Sequence, residues 1–105
     1  AQVRAVAAHA YPVVVATWML TYLDADGQRA FFAELDRVAT DRDLSLVYAE
    51  QPARLGGVDV PARPDGQADG LATAVVHVQW SGGARQATRL ADAHPHGRWI
   101  EWLDR

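Results

Sequence analysis

The chain contains no cysteine and no lysine. Without cysteine there is no disulfide framework, no thiolate nucleophile and no cysteine-held zinc or iron–sulfur centre. The missing lysines accompany 20 alanines and ten arginines, the mark of a GC-rich coding bias. A strongly basic surface is lacking too, since the net charge is −3 and no stretch clusters arginine. This argues against a nucleic-acid partner, whose footprint is a basic stripe. Long apolar runs are absent. The longest runs, Val13 to Ala16 among them, fall far short of the roughly 20 residues a membrane span needs. No basic stretch leads into a long apolar core as in a secretory signal, so a cytoplasmic protein with no membrane partner is expected. Nucleophile-elbow, P-loop, zinc-protease and dinucleotide-binding motifs are missing as well, which disfavours an autonomous enzyme.

What is present fits one domain spanning residues 1–105, half of them apolar. Val3, Val6, Ala7 and Ala10 recur at helical spacing, predicting a short helix over 2–9 that Tyr11-Pro12 ends. The chain starts with Ala1, inside this pattern, so a fragment of a longer protein is expected. Residues 12–18 then form a β-branched run without alternation, suited to a strand covered on both faces. Asp24 is placed as a helix N-cap, with Asp26 in the first turn. Phe31, Phe32, Leu35, Val38 and Ala39 make the apolar stripe of a helix over 25–41. Leu44 to Glu50 is a second strand. Strand, helix and strand joined by short links predict a βαβ unit whose two strands run parallel.

From Gln51 the chain changes character, with three prolines and four glycines before Leu71 and no period. Residues 51–71 are expected to be a mobile loop. Alternation returns at 72–80, Ser81-Gly82-Gly83 supplies a hairpin turn, and further strands follow at 84–91 and 98–103. These three form an antiparallel meander.

In open α/β sheets, ligands bind beyond the carboxyl ends of the parallel strands. Thr17, Trp18 and Tyr22 follow the first strand and Glu50 ends the second, so these four are the candidate cleft residues. Thr17 supplies a hydrogen bond, Trp18 a flat wall, and Glu50 an acceptor for an amine or hydroxyl. His94-Pro95-His96 sits in a turn, with Asp92 as the sole nearby third ligand; no metal site is expected. If residues 51–70 loop back rather than cross the sheet, His94 and His96 arrive at the same edge as Thr17 and Glu50, which is the preferred arrangement. His77 lies among valines and is read as a satisfied, half-buried side chain.

The segment Val13 to Leu23, the Phe31-Phe32 helix and above all Ala93-His94-Pro95-His96-Gly97-Arg98-Trp99-Ile100-Glu101-Trp102 resemble the carboxyl-terminal part of a bacterial domain-of-unknown-function family, number 2332. The similarity covers most of the chain outside the 51–70 loop. Members of that family are longer, in keeping with a fragment. The layout also resembles the second half of class I S-adenosylmethionine-dependent methyltransferases. The glycine-rich cofactor loop and acidic ribose ligand of that fold belong to its first half and have no counterpart here. The resemblance thus implies an α/β, Rossmann-like half-domain that binds no cofactor by itself, S-adenosylmethionine belonging to the full-length protein. It implies a ligand cleft without autonomous catalysis. The alternative is an assembly module: a strand as apolar as 13–18 is poorly suited to be an open sheet edge and should pair with another copy or be covered by the 2–9 helix, and a homodimer is expected.

Overall fold

The computed structural model describes residues 10–63, 65–66, 72–94 and 98–103. The helix expected over 2–9 lies outside them. Five strands and one long helix make up the described chain: β1 (Val13–Thr17), α1 (Ala25–Val38), β2 (Leu44–Glu50), β3 (Thr73–Ser81), β4 (Ala84–Ala93) and β5 (Ile100–Trp102). The strands form a single sheet in the order β1-β2-β3-β4-β5. β1 runs parallel to β2, and the three following pairings are antiparallel. The architecture is α/β with a mixed sheet, one parallel pair and the expected meander. Among the described residues, no helix is long and apolar enough to cross a membrane.

β1 ends one residue earlier than the apolar run suggests, because Trp18 adopts φ 58° and turns the chain out of the sheet. α1 begins as expected: Asp24 Oδ1 accepts the Gly27 N–H at 2.7 Å, meeting one of the donors that a helix start leaves unpaired. It stops at Val38, short of 41, in a turn where the Thr40 hydroxyl donates to the Arg37 carbonyl. β3 and β4 meet at Gly82 and Gly83, with φ 60° and 85°. Two positive values in a two-residue hairpin turn match the twist of the flanking strands, and a side chain at either glycine would be strained.

The core lies on the α1 side of the sheet. Phe32, Leu35 and Val38 pack against Leu44, Leu46 and Tyr48 of β2 and Ala74, Val76, Val78 and Trp80 of β3. Phe32 sits edge-on to Tyr48, with ring centroids 6.3 Å apart, and the Trp80 indole N–H donates to Asp36 Oδ1 at 2.7 Å. β4 extends past the expected 84–91 to Ala93, through a bulge. Val75 pairs with Ala91 but Val76 with Arg89, which leaves Leu90 out of register. Such an insertion flips the side-chain parity of the strand beyond it. Arg89 and Asp92, three apart, therefore share the core-side face of β4.

Candidate functional site

The parallel pair brings the ends of β1 and β2 together, with Thr17 opposite Ala49. Trp18 donates its N–H to the Ala49 carbonyl at 3.3 Å and carries the positive φ. For a bulky residue this conformation costs roughly 1–2 kcal/mol and persists only where the surroundings enforce it. The enforcing group is Glu50. Its carboxylate is completely buried; Oε2 accepts the Leu20 N–H at 2.9 Å and Oε1 accepts the Thr21 hydroxyl at 2.6 Å. Glu50 thereby fixes a short 3-10 turn, Leu20–Tyr22, directly after Trp18. The turn inserts Leu20 into the core and leaves Met19 and Tyr22 exposed, Tyr22 by 88%.

A second group secures the same turn from α1. Gln28 is 1% exposed; its Nε2 lies 3.0–3.1 Å from the carbonyls of Leu20, Leu23 and Arg54, and its Oε1 accepts the Gly57 N–H at 2.9 Å. Two hydrogens are thus shared among three acceptors. Gly57 is also pressed against α1, where an added Cβ would stand 2.1 Å from the Ala25 carbonyl oxygen.

Of the six expected cleft residues, Thr17, Trp18, Tyr22 and Glu50 meet at this carboxyl edge. Thr17 is exposed on the sheet side facing away from α1, Trp18 is half-buried, and both Glu50 oxygens are engaged by the chain itself. The antiparallel β2–β3–β4 pairing also brings the end of β4 to this edge. His94 therefore arrives on the same side as Glu50, but two strands away, about 10 Å in the sheet plane. It donates its N–H to the Trp99 carbonyl at 2.9 Å, and its ring meets that of Trp99 edge-on. His96 lies outside the described residues. Among the described residues, no three His, Asp or Glu side chains gather as metal ligands do.

Three features escaped the sequence reading. Gln28 could have been found, as a polar side chain placed on the apolar stripe of α1. An ionic knot joins the segment after β2 to the last strands: Arg63 reaches Asp92 at 2.9 Å, Glu101 at 2.8 Å and Asp65 at 2.7 Å, and Arg89 holds Asp92 and the Pro61 carbonyl. These three carboxylates hold the Arg63 guanidinium protonated even beyond its usual range. Finally, Ser45 Oγ sits 2.9 Å from both His77 Nε2 and the Tyr11 hydroxyl, on the sheet side away from α1. A nucleophilic serine also needs donors for the developing oxyanion. The Ser45 N–H is bound to the Pro12 carbonyl at 3.1 Å and β2 is paired on both sides, so this trio is a polar brace rather than a catalytic set.

Over residues 1–102 the chain matches a family described as an uncharacterized protein conserved in bacteria, DUF2332. No curated protein and no solved structure matches it.

Proposed function

Starting from the fact that the chain belongs to the bacterial DUF2332 family, we propose that it is a cytoplasmic, Rossmann-like half-domain that forms one wall of a small-molecule cleft and does not catalyse a reaction by itself. One observation carries this reading: a buried carboxylate clamps a strained turn that presents Trp18, Met19 and Tyr22 at the carboxyl edge of the parallel pair. Open α/β sheets take their ligands at that edge, and non-glycine residues held at positive φ concentrate at ligand sites. Thr17 and the Trp18–Tyr22 turn form the near side of the cleft and His94 its far side.

The methyltransferase-like layout names S-adenosylmethionine as the first ligand to try, by analogy of fold alone. This chain does not fit as the cofactor's holder. It has no glycine-rich loop after its first strand, and Glu50, the acidic group at the edge, already has both oxygens engaged. The chain's contribution is an aromatic wall, and the cofactor's polar groups would be met by another part of a longer protein. The test is thermal denaturation of the full-length protein with and without S-adenosylmethionine or its demethylated product. Ligand at about 100 times its Kd adds about 2.7 kcal/mol of stability. The expected result is a rise in Tm that Tyr22→Ala diminishes; no rise with either compound sinks the methyltransferase-like reading.

A second reading, assembly as a homodimer, is favoured by a specific observation. β1 lies at the edge of the sheet, and its Val13 and Val15 are 56% and 69% exposed. An apolar edge strand with no outer neighbour among the described residues invites pairing with another copy. Sedimentation equilibrium is expected to give a dimer that Val15→Lys dissociates. A monomer at all concentrations would remove this reading and leave the first intact.

A further inference from the structure

α1 covers one side of the sheet, and among the described residues no helix lies on the other. The two sides differ in charge. Every ionised side chain of the described strands (Glu50, Arg85, Arg89, Asp92 and Glu101) is on the α1 side, in register with the core residues of β2 and β3. The opposite side carries no Asp, Glu or Arg on any described strand. It stays neutral in a chain of which 22% is charged, whereas a sheet face left to water takes its share of charge.

The exposed apolar side chains of this face stand at its two margins. Val13 and Val15 on β1 are 56% and 69% exposed, and Ile100 and Trp102 on β5 are 50% and 68% exposed. The strand order sets the two margins equally far from β3, two strands to either side, about 10 Å. Between them the rows hold small or neutral side chains, as where Ala49, Val75 and Ala91 lead across the sheet from Thr17 to Trp102. Apolar groups exposed in this way mark an interaction surface, and the lack of charge narrows the partner. A nucleic acid, an anionic membrane or a charged peptide would meet no counter-ion here. A second copy meets a face as neutral as its own.

We infer that this uncharged face is the interface of a dimer, in which two copies pack sheet against sheet. The inference rests on the homodimer reading above and gives it a geometry other than edge-to-edge pairing of β1. A two-fold axis along β3, between the two faces, sets β1 of each copy over β5 of the other. The valine margin then meets the Ile100–Trp102 margin twice. Five strands about 4.8 Å apart and about 17–30 Å long make a footprint of roughly 450 Å² per copy. The pair thus buries on the order of 1,000 Å², which reaches what a specific interface needs.

Because the chain has no cysteine, introduced cysteines report the geometry directly. Val15→Cys and Trp102→Cys, both at exposed positions, are mixed and treated with a short bismaleimide. The mixture is expected to give a covalent dimer and Val15→Cys alone none, since this arrangement holds the two copies of residue 15 about 20 Å apart. Sedimentation equilibrium supplies a second measurement. Gln86→Glu, three strands from β1, carries a carboxylate into the interface and is expected to weaken the dimer about ten-fold or more. Arg85→Gln, at the neighbouring position on the α1 side, leaves dimerisation as it was. No product from the mixture, a covalent dimer from Val15→Cys alone, or a dimer indifferent to Gln86→Glu each overturns the sheet-to-sheet interface, while a dimer that persists in sedimentation keeps the homodimer reading. A monomer at all concentrations overturns both and gives the face to a different occupant.

Discussion

Near Gly57 the segment that follows β2 is held by neutral groups, and near Arg63 it is held by charges. At the first place one amide, Gln28, reaches the carbonyls of Leu20, Leu23 and Arg54 and takes the Gly57 N–H. At the second, Arg63 and Arg89 converge on Asp92, a carboxylate with no exposed surface, and Arg63 continues to Asp65 and Glu101. An amide can be buried without the desolvation penalty of an ion and responds little to salt or pH. A buried ion pair brings geometric specificity, and it becomes a liability if either member is lost. The neutral anchor stands beside the carboxyl edge, where the turn must be kept in its strained shape. The ionic anchor fastens the outer strands, where the bulge in β4 has put Arg89 and Asp92 on one face.

This contrast can be tested from its largest expected consequence downward. Asp92→Ala leaves the largely buried Arg89 guanidinium without its carboxylate, at a cost of about 3–5 kcal/mol. Urea unfolding measures it, and a loss below about 1 kcal/mol would show the knot to be no more than a surface pairing. Gln28→Leu keeps the volume but strands one N–H and three carbonyls, and is expected to cost about 2–4 kcal/mol. Its further signature is faster amide exchange at both Gly57 and Leu23. If only the global stability falls, with the two amides unchanged relative to it, Gln28 does not join the turn to the segment.

Tyr48 lies between the anchors, neutral as the first is and titratable as the second is. Because burial, above all, raises its folded pKa, its contribution to stability is complete below about pH 10 and is lost as the pH rises above that, while the unfolded phenol ionises and the folded one does not. The wild type should lose about 1 kcal/mol more than Tyr48→Phe over the first pH unit above that point. Parallel urea midpoints for the two proteins across that range would contradict the burial assigned to this hydroxyl. The smallest effect expected is that of salt. Raising ionic strength to about 1 M shortens the screening length to about 3 Å. Exchange at the Gly66 amide, behind Arg63, should then quicken a few-fold relative to Gly57; equal responses would erase the distinction between the anchors.

Much of the frame could be read from the residues. The β-branched run before Trp18, the stripe of α1 with its Asp24 cap, and the Leu44–Glu50 run each carry a local pattern, and local patterns specify elements. The antiparallel return of β3 followed from the lack of a helical period in the sequence between 51 and 70, and with it the arrival of His94 at the edge of Glu50. The roles of single polar side chains were less accessible. Glu50 acts on Leu20 and Thr21, about thirty positions earlier, and Ser45 meets His77 only because their strands are neighbours. The partnership of Arg89 with Asp92 depends on a bulge that alternation cannot reveal.

The positions of the tryptophans have a practical consequence. Trp80 has no exposed surface and holds a carboxylate through its indole, Trp18 is half-buried, and Trp99 and Trp102 are 43% and 68% exposed. The short-wavelength part of the intrinsic emission therefore comes chiefly from one ring, packed against Phe32. Selecting that part of the spectrum turns an ordinary fluorescence melt into a local reading of the layer between α1 and β3, insensitive to fraying of the outermost strand.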